Sequence, residues 1–346
     1  MCHIMTSATL AGMTHADVKR FTDRPTVLLT GLTSGIGARM LETLIAHPSR
    51  PNLVLLARDA AALENALAKA RAQGLEASGI RIDLSDLGNV RGALEQIASA
   101  QKRQEIGLLN VALLNAGAHF TSRRKTGAQG HELTFTVNVI AQHLLLRGLE
   151  PLLAPAAHAV VMGSSTHRGK KATFNLIPDP RWRDPADLAR PEAPAHGPTR
   201  FAAEREKGGV AYASSKLALV TLAHEWAKRL ATSGRRLNTY DPGLVAGTAL
   251  AKDLPGHLYW VWKYLMPAMS VLPGASTPRT TARHAVELAL GEVHPSLNDG
   301  YVEIGRLTKA APVTFDDERR KQLWHWLEAA VGDFVPADAN AAGPSD

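Results

Sequence analysis

The chain has 346 residues, 45% hydrophobic and 21% charged, which is the composition of a folded protein and excludes extended disorder. Its 39 Lys and Arg residues outnumber its 32 Asp and Glu residues, so the formal net charge is +7. The basic residues are scattered and only 5% of residues are aromatic, so nothing but charge favours a nucleic-acid partner, and we expect none. The single cysteine, Cys2, excludes a disulfide framework and metal sites built from cysteines.

Both ends of the chain are predicted to lie outside the folded domain. Residues 1–24 lack the apolar core of a secretory signal, so we expect a flexible leader. Residues 336–346 are expected to form a disordered tail, which leaves one domain over residues 25–335. No apolar run is long enough to span a bilayer, and a lone cysteine is compatible with a reducing compartment. We therefore expect a cytoplasmic protein.

Six short apolar runs, taken in chain order, predict β-strands at 26–30, 53–57, 80–84, 111–114, 159–162 and 237–240. Between them, helical spacing of apolar residues predicts helices at 34–46, 60–73, 87–104, 133–153 and 212–230. This alternation predicts an α/β fold, a doubly wound parallel sheet with helices on both faces. Ligands in such sheets bind beyond the carboxyl ends of the strands.

Two segments interrupt the alternation, and we expect both on the substrate side of the domain. Residues 174–207 carry six prolines, and a loop of this length in a compact domain is usually functional, so they are predicted to be an insertion beside the site. Residues 250–275 are predicted to be a substrate lid, because 258–272 form an apolar and aromatic run. A partner surface and a peripheral membrane contact are the alternatives for that run, in this order.

A glycine-rich turn follows the first predicted strand, where the first helix starts. Gly31 permits the tight turn, Gly35 lets the backbone approach a pyrophosphate, and Gly37 lets the helix pack close to the strand. Backbone N–H groups at a helix N-terminus also favour a bound phosphate. The motif therefore predicts a dinucleotide site, which includes the intervening residues Thr33, Ser34 and Ile36.

The end of the second predicted strand indicates which dinucleotide is bound. A site for NAD usually carries a carboxylate there, which accepts hydrogen bonds from the ribose hydroxyls. This chain has Ala57 followed by Arg58, whose guanidinium can bind a 2′-phosphate and stack on adenine. We therefore predict NADP(H) in preference to NAD(H). The alternative is a surface arginine, or one paired with Asp59.

Tyr212 and Lys216 are four residues apart, which places a phenol and an ammonium group on one face of a predicted helix. A nearby cation favours the phenolate, so we expect a lowered pKa for Tyr212 and proton transfer near neutral pH. The spacing is common on helices and carries little weight alone. Its weight comes from the motifs that accompany it in order along the chain.

Seven ordered motifs resemble those of the classical short-chain dehydrogenases/reductases, and the resemblance covers residues 26–304. They are the glycine turn of residues 30–37, Asp83-Leu84, Asn115-Ala116-Gly117, Asn138, Ser164-Ser165, Tyr212 with Lys216, and Asp241-Pro242-Gly243. The resemblance implies a Rossmann fold and an enzyme that transfers a hydride between a nicotinamide and a carbonyl or alcohol group. It requires no metal.

The resemblance also implies roles for these residues. Tyr212 is the general acid and base, Lys216 lowers its pKa and holds the nicotinamide ribose, and Ser165 binds the substrate oxygen. Asn138 is expected to position a water molecule. The cofactor contacts are expected from Asp83, Leu84, Asn115, Ala116, Gly117, Pro242, Gly243, Val245 and Thr248. Three alternatives stay open: Ser164 as the active serine, Asn138 as part of a helix kink, and Asp83 as a turn residue.

Within the family, the chain resembles the retinol dehydrogenases and protochlorophyllide reductases in residues 56–59, 212–219 and 300–305, and the 3-keto-steroid reductases in 149–153 and 265–268. Those enzymes share bulky apolar substrates, so we expect a ketone or alcohol of steroid, retinoid or polycyclic aromatic type. The resemblance also predicts a homodimer or homotetramer through helices 133–153 and 212–230. The alternative function is a catalytically idle nucleotide-sensing or scaffolding protein of the same fold, which an intact Tyr212 and Lys216 argue against.

Overall fold

The computed structural model describes residues 24–173, 175–193, 200–245 and 275–340. The strands are β1 Thr26–Thr30, β2 Asn52–Ala57, β3 Ala77–Arg81, β4 Leu109–Leu114, β5 Leu153–Met162, β6 Arg236–Asp241, β7 Leu244–Val245, β8 Ala275–Ser276, β9 Tyr301–Glu303 and β10 Arg306–Thr308. The main sheet has the order β3-β2-β1-β4-β5-β6-β9-β10, parallel except for β10, which runs antiparallel to β9. Strands β7 and β8 form a separate parallel pair. This topology confirms the predicted doubly wound parallel sheet.

The helices cover both faces of the sheet. They are α1 Gly35–Ile45, α2 Ala60–Ala72, α3 Leu87–Lys102, α4 (the consecutive segments Leu133–Phe135, Thr136–Ile140 and Ala141–Leu149), α5 Pro185–Leu188, α6 Phe201–Ala231, α7 Pro278–Ala289, α8 Asp317–Val331 and α9 Ala337–Asn340. Short 3₁₀ turns cover Glu150–Leu152, Ser165–Arg168, Lys170–Thr173, Pro312–Phe315 and Gly332–Phe334. Because side chains alternate along a strand, Val27 and Leu29 of β1 face α1, α2 and α7, whereas Leu28 faces α3, α4, α6 and α8.

Several bounds differ from the sequence-based prediction. Strand β3 covers residues 77–81 instead of 80–84, because an edge strand that pairs only with β2 needs no apolar run. Strand β5 starts at Leu153, which pairs with Leu109. Helix α6 starts at Phe201, so the last part of the predicted insertion 174–207 is helical. Strands β9 and β10 were not predicted, and β9 extends the sheet beyond β6.

Helix α4 is irregular at the point where it carries Asn138. Residues Thr136–Ile140 form a π turn, and the helix ends at Leu149, short of the predicted residue 153. A π turn disturbs the regular pairing of the backbone carbonyls, and the Gln142 side chain donates to Val137 O at 3.3 Å and to Ala116 O at 3.0 Å. Asn138 therefore lies in an irregular stretch of α4, but its side chain bonds Ala118 and Ser215 and does not cap this turn.

Helix α8 covers the faces of α4 and α6 that the predicted dimer or tetramer would use. The Trp324 ring lies 5.2 Å from Trp226 of α6 and 5.0 Å from His143 of α4, measured between centroids. His143 Nε2 also donates to the Glu328 carboxylate at 2.9 Å. Because the chain's own helix occupies this surface, the predicted interface through α4 and α6 is not available to a second copy.

The structure describes the predicted terminal segments and the predicted lid only in part. The predicted leader 1–24, apart from Arg24, lies outside the described residues, and so do residues 246–274 of the predicted lid. Residues 337–340 form α9, and Ala339 is buried and donates its N–H to Pro336 O at 2.9 Å, so the folded chain continues past the predicted start of the tail. No helix in the described ranges is long and apolar enough to cross a membrane.

Candidate active site

The glycine turn between β1 and α1 forms an open cradle. Gly31 has a φ of +69°, and a Cβ on Gly37 would lie only 2.0 Å from Gly31 O, so glycine is required at both positions. At Gly35, by contrast, a Cβ would meet no described atom within 4 Å. The N-cap residue Ser34 makes no side-chain cap bond, so the N–H groups of the first turn of α1 stay available. The turn therefore has the space and the donors that a pyrophosphate requires.

Two residues at the end of β4 hold this turn in place. Asn115 Nδ2 donates to Thr30 O and to Gly31 O, both at 3.0 Å. The Ala116 N–H donates to Thr30 Oγ1 at 2.9 Å. These bonds join the carboxyl ends of β1 and β4, which is the supporting role that the resemblance implies for Asn115.

Two arginines lie at the carboxyl ends of β2 and β3. Arg58 is exposed, and within the described residues it has no ion-pair partner. Asp59 instead caps α2, since its carboxylate accepts from the Ala62 N–H at 2.7 Å. Arg81, which the sequence analysis missed, donates from Nε to Arg58 O at 3.1 Å. Both guanidinium groups are therefore placed where the adenosine end of a dinucleotide would lie.

Asp83 forms a tight turn after β3, as the open alternative proposed. Its Oδ1 accepts from the Ser85 N–H at 3.0 Å and from Ser85 Oγ at 2.7 Å, and its own N–H donates to Asn89 Oδ1 at 2.6 Å. The neighbouring Leu84 is buried. The other carboxylate oxygen of Asp83 has no hydrogen-bond partner in the described part of the chain, so a contact to adenine stays a prediction.

Tyr212 and Lys216 lie on α6, where it passes the carboxyl end of β5. Lys216 is buried, and its Nζ donates to Met162 O at 2.7 Å and lies 5.9 Å from the centroid of the Tyr212 ring. Burial lowers the pKa of Lys216 to about 8, and the charge of Asp241 opposes this change. Burial raises the pKa of Tyr212 to about 12, although a hydrogen bond with Ser164 lowers it. The expected lowering of the Tyr212 pKa is therefore not found in this structure, where desolvation of the phenolate is the largest influence.

The serine that contacts Tyr212 is Ser164. Its backbone is extended, with φ −169° and ψ 141°, and continues the direction of β5, whereas Ser165 starts the 3₁₀ turn. The hydroxyl of Ser164 accepts from Thr166 Oγ1 at 3.0 Å, and Ser164 is the serine whose side chain lowers the pKa of Tyr212. The prediction of Ser165 therefore placed the serine one residue too late, since the chain turns away from the strand direction only after Ser164.

Asn138 is buried beside Lys216 and connects two parts of the site. Its Oδ1 accepts from the Ala118 N–H at 2.8 Å, and its Nδ2 donates to Ala118 O at 2.8 Å and to Ser215 Oγ at 3.0 Å. A Cβ on Gly117 would lie 3.2 Å from Asn138 Oδ1 and 3.5 Å from Lys216 Nζ. Gly117 therefore keeps the space between these two groups open, and the water molecule implied there stays a prediction.

The loop after β6 completes the site. Asp241 is fully buried, and its Oδ1 accepts from the Gly243 N–H at 2.8 Å. Pro242 O accepts from Thr281 Oγ1 at 3.1 Å, and Val245 is buried. These bonds fix residues 241–243 at the carboxyl end of the sheet. The predicted contact residue Thr248 lies outside the described residues.

Comparison with known proteins agrees with this geometry. A family model described as short chain dehydrogenase matches residues 25–176. A short-chain dehydrogenase/reductase of Armillaria gallica is 26% identical over 322 residues, which cover 89% of this chain and 90% of that protein. Retinol dehydrogenase 13 of Homo sapiens is 24% identical over 326 residues, which cover 90% of this chain and 86% of that protein.

The chain is similar to short-chain dehydrogenases/reductases along most of its length. Among solved structures, the angucycline C-6 ketoreductase LanV with bound NADP aligns with a TM-score of 0.59 at 18% identity, over 81% of this chain and 94% of that chain, which shows the same fold. These matches support a dehydrogenase/reductase enzyme. Within the described ranges, no group of three or more His, Cys, Asp or Glu side chains could hold a metal ion.

The segment before α6 packs against the part of α6 that carries Tyr212. A Cβ on Gly209 would lie 2.7 Å from Pro178 Cδ, so Pro178 sits directly on α6 one turn before Tyr212. The Arg181 N–H donates to Ser214 Oγ at 2.9 Å. The described part of the insertion therefore lies beside Tyr212.

Sequence reasoning missed His119, whose ring lies 4.9 Å from the Tyr212 ring, centroid to centroid. His119 follows the Asn115-Ala116-Gly117 motif by two residues, and this position at a strand end was the available signal. His119 and the packed insertion together border the Tyr212 side chain.

Proposed function

We propose that the enzyme is an NADP(H)-dependent reductase of bulky apolar ketones, and a dehydrogenase of the matching secondary alcohols. The observation that carries the proposal is the contact of the Tyr212 phenol with Ser164, one helical turn from the buried Lys216. A phenol and a second hydroxyl that converge at one point are suited to a carbonyl oxygen on which negative charge develops.

The residues present fit a dinucleotide cofactor. The open space at Gly35 and the uncapped start of α1 suit the pyrophosphate, and Lys216 and Val245 are placed for the ribose and the carboxamide of the nicotinamide. When bound, the nicotinamide supplies or accepts the hydride, and the protein supplies orientation and proton transfer.

The chain's own residues handle the proton and the developing charge. With a pKa of about 12, the Tyr212 phenol keeps its proton at neutral pH and can donate it to the substrate oxygen during reduction. Ser164 donates a second hydrogen bond to that oxygen, and the bond from Thr166 Oγ1 orients the Ser164 hydroxyl for this purpose. The ammonium of Lys216 stabilises the phenolate that remains on Tyr212. In the oxidative direction the same groups act in reverse, so oxidation needs the phenolate and is favoured at higher pH.

The preference for NADP(H) is supported by Arg58 and Arg81. No carboxylate in the described part of the chain lies within 4.0 Å of either guanidinium group, and the nearby Asp59 is engaged at the N-terminus of α2. Two unneutralised cations at this position favour a 2′-phosphate over a plain ribose. The bound NADP of LanV is a further argument for the same choice.

A bulky apolar substrate is supported by the segment that packs beside Tyr212. Pro178 and the backbone of Arg181 pack on α6 beside Tyr212 and so extend the protein surface there beyond the strand ends. The names of retinol dehydrogenase 13 and of the angucycline ketoreductase LanV point to large apolar or polycyclic substrates for those proteins. We infer the same substrate class for this enzyme.

The test is hydride transfer from NADPH to 9,10-phenanthrenequinone and all-trans-retinal, with acetoacetate as the small ketone. We expect higher kcat/KM for the two large compounds. In Tyr212→Phe, the loss of proton transfer should lower kcat by about 10²- to 10⁴-fold, while NADPH still binds. Tyr240→Phe is the matched control, because the Tyr240 hydroxyl donates to Thr281 O at 3.0 Å on the other face of the sheet. NADPH binding without hydride transfer to any of the carbonyl compounds would favour an idle nucleotide-binding protein instead.

A further inference from the structure

Helix α6 carries two consecutive glycines, Gly208 and Gly209, one turn before Tyr212. Glycine is unfavourable inside a helix, so two in a row indicate a requirement of the packing. A Cβ on Gly208 would lie 2.5 Å from Phe120 O in the loop after β4. A Cβ on Gly209 would lie 2.7 Å from Pro178 Cδ in the insertion after β5. The two glycines therefore let both loops approach the backbone of α6 beside Tyr212.

His119 belongs to the loop after β4, and the backbone on both sides of it is fixed. On one side, Asn138 Oδ1 accepts from the Ala118 N–H and Asn138 Nδ2 donates to Ala118 O, both at 2.8 Å. On the other side, the Phe120 carbonyl lies against α6. The half-buried His119 ring lies 4.9 Å from the Tyr212 ring, centroid to centroid, with 56° between the ring planes. The fold therefore sets the imidazole beside the phenol.

The position of His119 adds a polar group beside the point where the substrate reacts. In the proposed function, Tyr212 and Ser164 bind one substrate oxygen, the one on which charge develops. A neutral imidazole has one donor and one acceptor nitrogen, so it can bind a carbonyl or a hydroxyl group. Because the His119 and Tyr212 rings are in contact, the oxygen atoms that they can bind are close together, as they are on adjacent carbon atoms. A plain ketone would need only an apolar wall at this position.

We propose that His119 is a specificity-determining residue that binds a second oxygen of the substrate, on the carbon next to the reacting carbonyl. The preferred substrate class is then a planar 1,2-diketone, or the matching α-hydroxyketone in the oxidative direction. The proposal rests on the proposed function and deepens it, because it states which bulky carbonyl compounds the site prefers. His119 takes no part in proton transfer, which stays with Tyr212, so its substitution changes the choice of substrate.

The alternative is a packing role, in which the imidazole only supports the Tyr212 ring. A matched pair of compounds separates the two roles. Acenaphthenequinone and 1-acenaphthenone share one planar ring system and differ at one carbon, which is a carbonyl in the first and a CH₂ group in the second. A packing role would affect the binding of both compounds alike. A hydrogen bond to the second oxygen would favour acenaphthenequinone alone.

His119→Phe keeps an aromatic ring against Tyr212 and removes both ring nitrogens. The ratio of dissociation constants, 1-acenaphthenone over acenaphthenequinone, should fall about fivefold in this variant, the effect of one hydrogen bond. The affinity for 1-acenaphthenone should stay within about twofold of the wild type. His119→Ala should lower the same ratio. His131→Phe is the matched control and should keep the ratio, because the half-buried His131 ring packs 5.5 Å from Trp326 of α8.

The primary measurement is the dissociation constant of each compound by calorimetry, for enzyme saturated with NADP⁺, which cannot supply a hydride. The second measurement is kcat/KM for both compounds with NADPH, where the preference should fall in the same way. A ratio in His119→Phe equal to that in His131→Phe would overturn the proposal, and His119→Ala decides if His119→Phe does not fold. The proposed function fails on a different result, full activity of Tyr212→Phe. Because the dissociation constants require no turnover, the two failures are distinguishable.

Discussion

At the scale of single residues, the choice between two adjacent serines can be tested directly. Only Ser164 hydrogen-bonds Tyr212 among the two, and Ser165 belongs to the following 3₁₀ turn. We expect Ser164→Ala to lower kcat by about 10²-fold or more, because one donor to the developing oxyanion is lost. Ser165→Ala is the matched control and should stay within about threefold of wild type, since surface changes rarely cost more than about 0.5 kcal/mol. Equal losses in both variants would contradict the assignment.

The cofactor preference also depends on single side chains. We expect NADPH to bind more tightly than NADH. In Arg58→Ala the ratio of the two dissociation constants should fall about tenfold or more, since a charge-assisted hydrogen bond contributes about 1.5–3 kcal/mol. Arg81→Ala should also lower this ratio, because Arg81 donates to the backbone carbonyl of Arg58. The measurement is the ratio of the two dissociation constants in each variant. Equal affinity of the wild type for both cofactors would refute the proposal.

Residue identities predicted the site well where one side chain determines the chemistry. Asn115 joins the carboxyl ends of β1 and β4, Lys216 lies beside the Tyr212 ring, and the first turn has the close approaches that need glycine, as their places in the sequence suggest. The assignment failed for Ser165 and for the pKa of Tyr212. Both depend on where a side chain points and how much water surrounds it, which neighbouring residues in the sequence do not report.

At the scale of secondary-structure elements, the insertion packs so closely on α6 that one added methyl group should disturb the contact. In Gly209→Ala the new Cβ would lie 2.7 Å from the rigid Pro178 ring, so the insertion or the helix must move. Overpacking of this kind costs about 1–3 kcal/mol. We expect a lower Tm and a lower kcat/KM for 9,10-phenanthrenequinone, with the dissociation constant of NADPH unchanged.

Gly92→Ala is the matched control for this change, since a Cβ on Gly92 of α3 would meet no described atom within 4 Å. At this position alanine should stabilise the helix by about 0.5–1 kcal/mol. It should leave kcat/KM for 9,10-phenanthrenequinone and the dissociation constant of NADPH unchanged. A Gly209→Ala enzyme with wild-type kinetics for the large substrate would show that the insertion does not border the substrate.

The strands and helices could be predicted from the sequence where the spacing of apolar residues matches the buried positions, as in β1, β2 and α1. Sequence reasoning failed where a residue joins a strand only because a neighbouring strand offers it hydrogen bonds. Residues 77–79 join β3 because β2 offers hydrogen bonds, and Tyr301 joins the sheet because β6 does. Helix α8 contains apolar residues such as Leu323 and Leu327 at helical spacing, yet only the structure shows that they cover α4 and α6.

At the scale of the whole molecule, buried histidines should make the fold sensitive to acid. Burial lowers the pKa values of His158 and His167 from 6.5 to about 4. A lowered pKa contributes stability that is complete above pH 6.5 and is lost as the pH falls through about 4. This loss amounts to about 3 kcal/mol for each histidine. Asp241 has the opposite sign, because its raised pKa gives stability that is lost as the pH rises from 3.8 to about 6.

We therefore expect the Tm measured by calorimetry to fall between pH 7 and pH 5. In Asp241→Asn the fall should be steeper, since the opposing contribution of Asp241 is removed. A constant Tm over this range, or a fall that Asp241→Asn leaves unchanged, would contradict these signs.

The π turn in α4 also sets a limit on changes in chain length. A π turn holds one more residue than an α-helical turn, so deletion of one residue within Thr136–Ile140 would let α4 become regular. Everything before the deletion would then rotate by about 100° about the helix axis relative to everything after it. Asn138 could no longer face both Ala118 and Ser215. The number of residues in this turn is therefore fixed by the site.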